Sequence, residues 1–352
     1  MRRLFILVTK VLIIDDSVIV RSVLADIIDS EPGFEVVGKA RDPFEAREMI
    51  FDKKPDILTL DVEMPRLDGI SFLKSLMQNY PLPVVMVSSL TDRTSKKGMQ
   101  ALELGAVDVV GKPSGDSRSS VEALKEQLIP KLQAAAEADV RTLKEKKKDV
   151  KKKVKKSKIK LPSKVDAIVI GSSTGGTKAL REVFADLAPG LPPILICQHM
   201  PPMFTTHFAK GLNDNSALKV WEAKDGDRVG KGEAILAPGD QHMVVAGRSR
   251  SDGVPVSLNT DNEVNFQRPA VDPLFETAAR WLGDRALGIV LTGMGKDGAA
   301  GAVEMAKIGA TILTQDKATS TVYGMPKQAK EAVKSAQQIP LNEIAAVLSN
   351  LA

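Results

Sequence analysis

Cysteine is nearly absent from this chain: there is one, Cys197. A single thiol excludes an internal disulfide framework and any zinc site built on several cysteines, and it points to a reducing, cytoplasmic setting. Histidine is almost as scarce, with three in 352 residues, so an imidazole that does chemistry must be His199, His207 or His242. Aromatic residues make up 4% of the chain, too few for a single-stranded nucleic-acid binder that stacks bases on rings. No apolar run reaches the roughly 20 residues that cross a bilayer. The opening run Leu4–Val8 is too short for a secretory leader, lacks a small-residue cleavage pattern and is soon interrupted by Lys10. The chain reads as a soluble, cytoplasmic protein that does not span a membrane.

Charge is plentiful but uneven. The formal net charge is +5, yet residues 141–160 hold 12 basic and 2 acidic residues. Removing that stretch leaves the rest near −5, so the basic balance belongs to one segment. With no aromatic interleaved, the Lys-rich run reads as an extended, self-repelling linker rather than a nucleic-acid surface. Length and a hydrophobic content of 43% leave room for two globular domains. We place them at 10–133 and 163–352, joined by a Lys-rich, partly helical linker at 134–162. Leu124, Leu128, Leu132, Ala135, Ala136, Val140 and Leu143 keep helical spacing, so the last helix of the first domain is expected to run on into the linker.

In the first domain, strand-like and helix-like segments alternate. VLIID precedes a helix over Ser17–Ser30. FEVVGKA precedes one near Pro43–Asp52, and ILTLD one at Ile70–Gln78. PVVMVSS precedes one near Ser95–Leu104, and VDVVGKP a last helix from Val121. Five βα units imply an open, parallel, doubly wound sheet whose ligands gather at the carboxyl ends of the strands. Asp15 and Asp16 close the first strand, Asp61 the third, Ser88 follows the fourth and Lys112 the fifth. Three carboxylates at one edge repel unless a cation joins them, and oxygen ligands suit Mg²⁺. A hydroxyl and an ammonium beside them suit a phosphoryl group. In order and position these residues, with DVEMPRLDG at Asp61–Gly69, resemble the flavodoxin-like receiver domain of two-component response regulators. The resemblance implies that Asp61 accepts a phosphoryl group, that Asp15 and Asp16 hold Mg²⁺ with it, that Lys112 pairs with the phosphate and that Ser88 senses it. A cis peptide is expected before Pro113. Val109 stands where receivers often carry Tyr or Phe, so an aromatic switch is not expected.

The second domain has strand-like runs at Ala167–Ile170, Ile194–Gln198, Ala234–Ala237, Met243–Ala246 and Gly288–Thr292. This again reads as a doubly wound, mainly parallel α/β fold, with an antiparallel hairpin inserted at Gly239–Leu258. Active groups should collect at strand ends: Ser172 and Ser173, Gln198 and His199, and Met294 to Asp297. Gly171–Gly175 reads GSSTG with Ser173 at its centre, between a strand and a helix, which is the setting of an exposed nucleophilic serine. A serine hydroxyl needs a base. His199 follows an apolar strand at a rim, whereas His207 falls on a helix flank and His242 in a turn. An acid must orient the imidazole; Asp297 is the choice and Asp272 the competitor. The order Ser, His, Asp disfavours an α/β-hydrolase. A Walker loop fails because Thr177 stands where Lys is required, and a looser dinucleotide loop rests on glycines alone. Cys197 is read as a small core residue. A DNA-binding output domain is disfavoured, because this half has no helix-turn-helix with a basic recognition helix.

GSSTGGT, QHMPPMFTTHFA, RPAVDPLF and LTGMGKDGAAG, in that order behind a receiver, resemble the chemotaxis response regulator protein-glutamate methylesterases, the CheB family. The resemblance implies hydrolysis of glutamate γ-methyl esters, and deamidation of particular glutamines, on the cytoplasmic part of chemoreceptors. It implies Ser173, His199 and Asp297 as the triad, with a Met294 backbone N–H at the oxyanion and Thr174 adjacent. No cofactor is expected for the ester reaction, and a chemotaxis histidine kinase is the expected phosphodonor. The receiver is expected to cover the active site until Asp61 is phosphorylated.

Overall fold

The computed structural model describes residues 8–89, 92–112, 118–138 and 159–352. The chain divides into two compact units, Met1–Lys151 and Lys152–Ala352. Pro113, with its expected cis peptide, lies outside the described residues, as do 139–158 of the Lys-rich stretch, Val140 and Leu143 included.

The first unit is built on β1 (Thr9–Ile14), β2 (Phe34–Ala40), β3 (Ile57–Asp61), β4 (Val84–Ser88) and β5 (Asp108–Gly111). They form one parallel sheet in the order β2-β1-β3-β4-β5. Strands β3 and β4 are buried along their whole length, which is why they are mostly apolar: helices cover both sheet faces. The helices are α1 (Val18–Asp29), α2 (Pro43–Lys53), α3 (Gly69–Asn79), α4 (Asp92–Leu104) and α5 (Arg118–Glu137). Their starts follow cap chemistry. Asp42 accepts from the Phe44 and Glu45 N–H groups with Pro43 in the first turn, and Asp68 accepts from the Ser71 N–H. Helices α4 and α5 begin three residues before the expected Ser95 and Val121, since apolar spacing marks only where a helix meets the core. Val11, Ile13, Leu24, Ile28, Ile57, Val85, Leu128 and Leu132 share that core.

The second unit contains β6 (Ala167–Ser172), α6 (Gly176–Ala185), β7 (Ile194–Gln198), α7 (Phe204–Asp214), β8 (Lys219–Glu222), β9 (Arg228–Val229) and β10 (Glu233–Leu236). There follow β11 (His242–Val245), β12 (Val254–Asn259), α8 (Val271–Leu282), β13 (Ala286–Val290) and α9 (Ala299–Lys307), then β14 (Thr311–Gln315), α10 (Met325–Ala332), β15 (Gln337–Ile339) and α11 (Leu341–Leu348). Seven strands make a parallel sheet in the order β15-β14-β13-β6-β7-β10-β8. The expected hairpin is β11 paired antiparallel with β12, and β9 adds a third, short strand. The sequence patterns missed β8, β9, β14 and β15. Strands β8 and β15 are short sheet edges with polar residues, and β14 carries buried Thr314 and Gln315, so none shows an apolar run. No helix among the described residues is long and apolar enough to cross a membrane.

Candidate functional site

The large sheet opens at one place. On one side of β6 the sheet extends through β7, β10 and β8, and the chain then crosses to the other side of β6 with β13, β14 and β15. Connections that leave adjacent strands in opposite directions open a crevice at their carboxyl ends. Ser173 follows β6, His199 follows β7 and Asp297 lies on the loop after β13, so three neighbouring strands deliver the three predicted residues to one edge.

The two serines differ sharply. Ser172 is 0% exposed, and its Oγ donates to Gln198 Oε1 at 2.7 Å; its hydroxyl is spent inside the sheet. Ser173 is partly exposed at the strand end. Strand register sets Ser172 opposite Gln198, and the His199 N–H donates to the Ser172 carbonyl at 3.0 Å. Gln198 Nε2 donates to the carbonyls of both Ser173 and His199 at 3.0 Å, which clasps the ends of β6 and β7 together. Two glycines make the approach possible. A Cβ on Gly176 would overlap Gln198 Oε1 and Ser172, and one on Gly293 would overlap Met325 Sδ and press on the Ser173 Cβ. Thr174 and Met294, the predicted neighbours of the oxyanion, flank this contact. Thr174 is buried and its carbonyl accepts from Thr292 Oγ1 at 3.0 Å, while Met294 is half-buried directly after Gly293.

His199 Nε2 lies 2.8 Å from Asp297 Oδ2, and the acid is 2% exposed. The carboxylate also accepts from the Val271 N–H at 2.6 Å, the Asp272 N–H at 3.1 Å and Asn265 Nδ2 at 3.1 Å. Val271 and Asp272 open α8, so the acid sits on the positive end of a helix. Burial opposes its charge, but the bonds from His199 and from the two backbone donors outweigh that and hold the Asp297 carboxyl below its ordinary value. The competitor Asp272 lies beside it in a different state. Burial, then the Asp297 charge, push it up to about 6, against bonds from the Gly301 N–H and Asn265 Nδ2. Asp272 therefore faces Asn265 and α9, and His199 is held by Asp297.

The other histidines and the cysteine are placed differently. His242 is buried, with Nδ1 accepting from the Ala270 N–H at 3.2 Å and Nε2 3.1 Å from the Asn262 carbonyl, a structural clamp. His207 lies on α7. Cys197 is buried, and burial, with the nearby charges of Asp297 and Asp272, pushes its thiol well up, so it stays an inert core residue. Sequence patterns missed Asn265, whose amide bridges both acids, and Gln315, whose Oε1 accepts from the Thr292 N–H at 2.8 Å. No sequence pattern marked Asn265, and Gln315 ends a strand that shows no apolar run.

At the edge of the smaller sheet, one carboxylate oxygen each from Asp15, Asp16 and Asp61 lies within 4.8 Å of the others. Lys112 Nζ is 2.8 Å from Asp15 Oδ2 and 2.9 Å from Asp61 Oδ2. Burial pushes Asp61 up to about 6, with Lys112 opposing and Asp15 adding to the rise. Burial works against the Lys112 charge, yet the bonds to Asp15 and Asp61 hold its pKa above the ordinary value. Three acids facing one ammonium leave uncompensated negative charge, and an all-oxygen donor set of this kind fits a hard divalent cation such as Mg²⁺. Ser88 is buried beside them, its carbonyl accepting from the Lys112 N–H at 2.7 Å. Val109 is buried in β5.

Residues 168–348 match the family model described as CheB methylesterase, and residues 11–124 match the response regulator receiver domain. A protein-glutamate methylesterase/protein-glutamine glutaminase of Nitrosomonas europaea is 44% identical over 341 residues, covering 96% of this chain and 94% of that protein. One from Pseudomonas aeruginosa is 46% identical over 339 residues, covering 96% of this chain and 95% of its own. The crystal structure of the Thermotoga maritima CheB methylesterase catalytic domain matches with a TM-score of 0.51 and 37% identity, over 53% of this chain and 99% of that one. A receiver sheet, an esterase sheet and relatives that match along nearly the whole chain lead to one assignment: the chain belongs to the protein-glutamate methylesterase/protein-glutamine glutaminase family, hydrolases that carry a response regulator receiver.

Proposed function

We propose that Ser173, His199 and Asp297 carry out the hydrolysis of glutamate γ-methyl esters, and the deamidation of selected glutamines, on the cytoplasmic domains of methyl-accepting chemoreceptors, in the cytoplasm. The 2.8 Å bond between His199 Nε2 and buried Asp297, on the strand end next to Ser173, carries this reading. Ser173 Oγ attacks the ester carbonyl as His199 takes its proton. With Nε2 committed to Asp297, Nδ1 is the ring nitrogen left for that proton, the reverse of the template in which the acid holds Nδ1. Asp297 stays ionised and stabilises the imidazolium. The backbone N–H of Met294, with Thr174 adjacent, donates to the oxyanion, an effect of about 3–4 kcal/mol for one well-placed donor. Methanol leaves with the proton from His199, and water then attacks the glutamyl-enzyme by the same route.

In the receiver, Asp61 accepts the phosphoryl group from a chemotaxis histidine kinase. Asp15, Asp16 and Asp61 hold Mg²⁺, which when bound neutralises charge on the phosphoryl oxygens. Lys112 pairs with the attached phosphate and Ser88 Oγ detects it. The receiver holds the esterase in check until that event. The test is methanol release from a methylated receptor fragment. Ser173→Ala is expected to lose activity by at least about a thousandfold, with Ser172→Ala keeping most of it. The opposite pattern would move the nucleophile by one residue, and activity in both variants would end the reading.

A further inference from the structure

Phe266 is 82% exposed, the most exposed large apolar side chain among the described residues. It occupies a backbone conformation that bulky residues avoid, with φ 61° after Asn265 at φ 53°. The two form a tight turn closed by the Val264 N–H donating to the Gln267 carbonyl at 3.1 Å and the Gln267 N–H donating to the Val264 carbonyl at 3.0 Å. Turns with two left-handed residues favour Asn and Gly, so Asn265 fits its place and Phe266 does not. Strain of this kind persists where the surroundings enforce it, and it clusters at functional sites.

The surroundings do enforce it. Asn265 Nδ2 ties the turn to Asp297 Oδ1 at 3.1 Å and to Asp272 Oδ2 at 3.0 Å. At the base, the Arg268 guanidinium donates to Asp240 Oδ1 at 2.6 and 2.9 Å and to the Asp261 carbonyl at 3.0 Å. A braced turn thus holds an aromatic ring in solvent one residue from the clamp on the site acid. On the loop after His199, Met203 repeats the pattern with φ 69° and 38% exposure.

We propose that Phe266, assisted by Met203, is a specificity-determining contact that seats on an apolar side chain of the substrate protein next to its methylated glutamate. The proposal rests on the esterase reading. A γ-methyl ester offers few atoms to distinguish one glutamate from another on a folded surface, so selection needs contact beyond the ester. An exposed aromatic on a rigid support is the residue type that dominates such contacts. Continuity with the catalytic edge through Asn265 argues for substrate as the occupant.

The experiment uses the full chain with phosphodonor and two substrates, a methylated receptor cytoplasmic fragment and the small ester N-acetylglutamate γ-methyl ester. Phe266→Ala is expected to lower the ratio of kcat/KM on the protein to that on the small ester by about tenfold, mainly through KM, with Phe266→Leu recovering most of it. Equal losses on both substrates would overturn the proposal, since Phe266 would then act only through the turn. So would no loss on either. A rise in small-ester turnover by the unphosphorylated Phe266→Ala chain would overturn it as well, naming the receiver as the occupant. Wild-type protein that cleaves neither substrate would end the esterase reading itself, and the proposal with it.

Discussion

Asp297 and Asp272 are neighbouring buried carboxyls with opposite titration behaviour. Asp297 is held below its ordinary value and Asp272 is pushed up to about 6, and such divergence marks where a site assigns different work to like groups. Under the proposed mechanism Asp297→Asn keeps the shape but removes the charge that would support the imidazolium, so kcat is expected to fall by about 10³–10⁴. Methanol release checks this against an unchanged circular dichroism spectrum. For Asp272 the sign runs the other way. Its folded pKa is about 6 against about 3.9 unfolded. Between those values the unfolded chain releases a proton that the folded chain retains, so folding weakens as pH rises. Relative to Asp272→Asn, the wild type should therefore lose melting temperature between about pH 4 and pH 6 and change little above. A difference that stays flat across that range would refute the assignment.

At the level of elements, chemistry depends on how closely strand ends approach. Gly293 leaves the space occupied by the Ser173 Cβ and Met325 Sδ. Gly293→Ala is expected to displace the strand end and reduce kcat by about a hundredfold or more, a larger effect than its loss of stability. Assays beside thermal melts compare the two. In the smaller sheet, Asp61 shares its edge with Asp15, Asp16 and Lys112. Burial pushes Asp61 up to about 6, so if Mg²⁺ binds there as proposed, proton and cation would compete for it. Mg²⁺ affinity should rise with pH up to about 6, by at most about tenfold per unit, and then level off. Calorimetric titration from pH 5 to 8 measures this, and Asp61→Asn should remove the pH dependence. An affinity independent of pH would count against the site.

Across the whole molecule, the expectation is a phosphorylation-driven release of the esterase. A ligand or modification shifts a two-state balance only by its differential stabilisation of the two states, and tenfold activation corresponds to about 1.4 kcal/mol. A fragment that starts near Pro162 should be more active than the unphosphorylated full chain. A phosphodonor should activate the full chain and leave the fragment unchanged. Equal rates in all four assays would defeat autoinhibition.

The two sheets were legible in the residue order because buried parallel strands are apolar runs, and because glycines and acids at strand ends must stand where backbones turn or ligands gather. Asp61–Gly69, GSSTG and the scarcity of histidine narrowed the chemistry to a few named side chains. Short polar edge strands such as β8 and β15 escaped, since pattern sees burial and they have little. That Ser172 is buried on Gln198 while Ser173 stays partly exposed, and that His199 bonds Asp297 rather than Asp272, is visible only in three dimensions. It depends on Gln198 occupying one hydroxyl, and on Asn265 and the first turn of α8 donating to one acid. Those partners lie 25 to 32 residues away in the chain, and no local spacing encodes hydrogen bonds made across such separations.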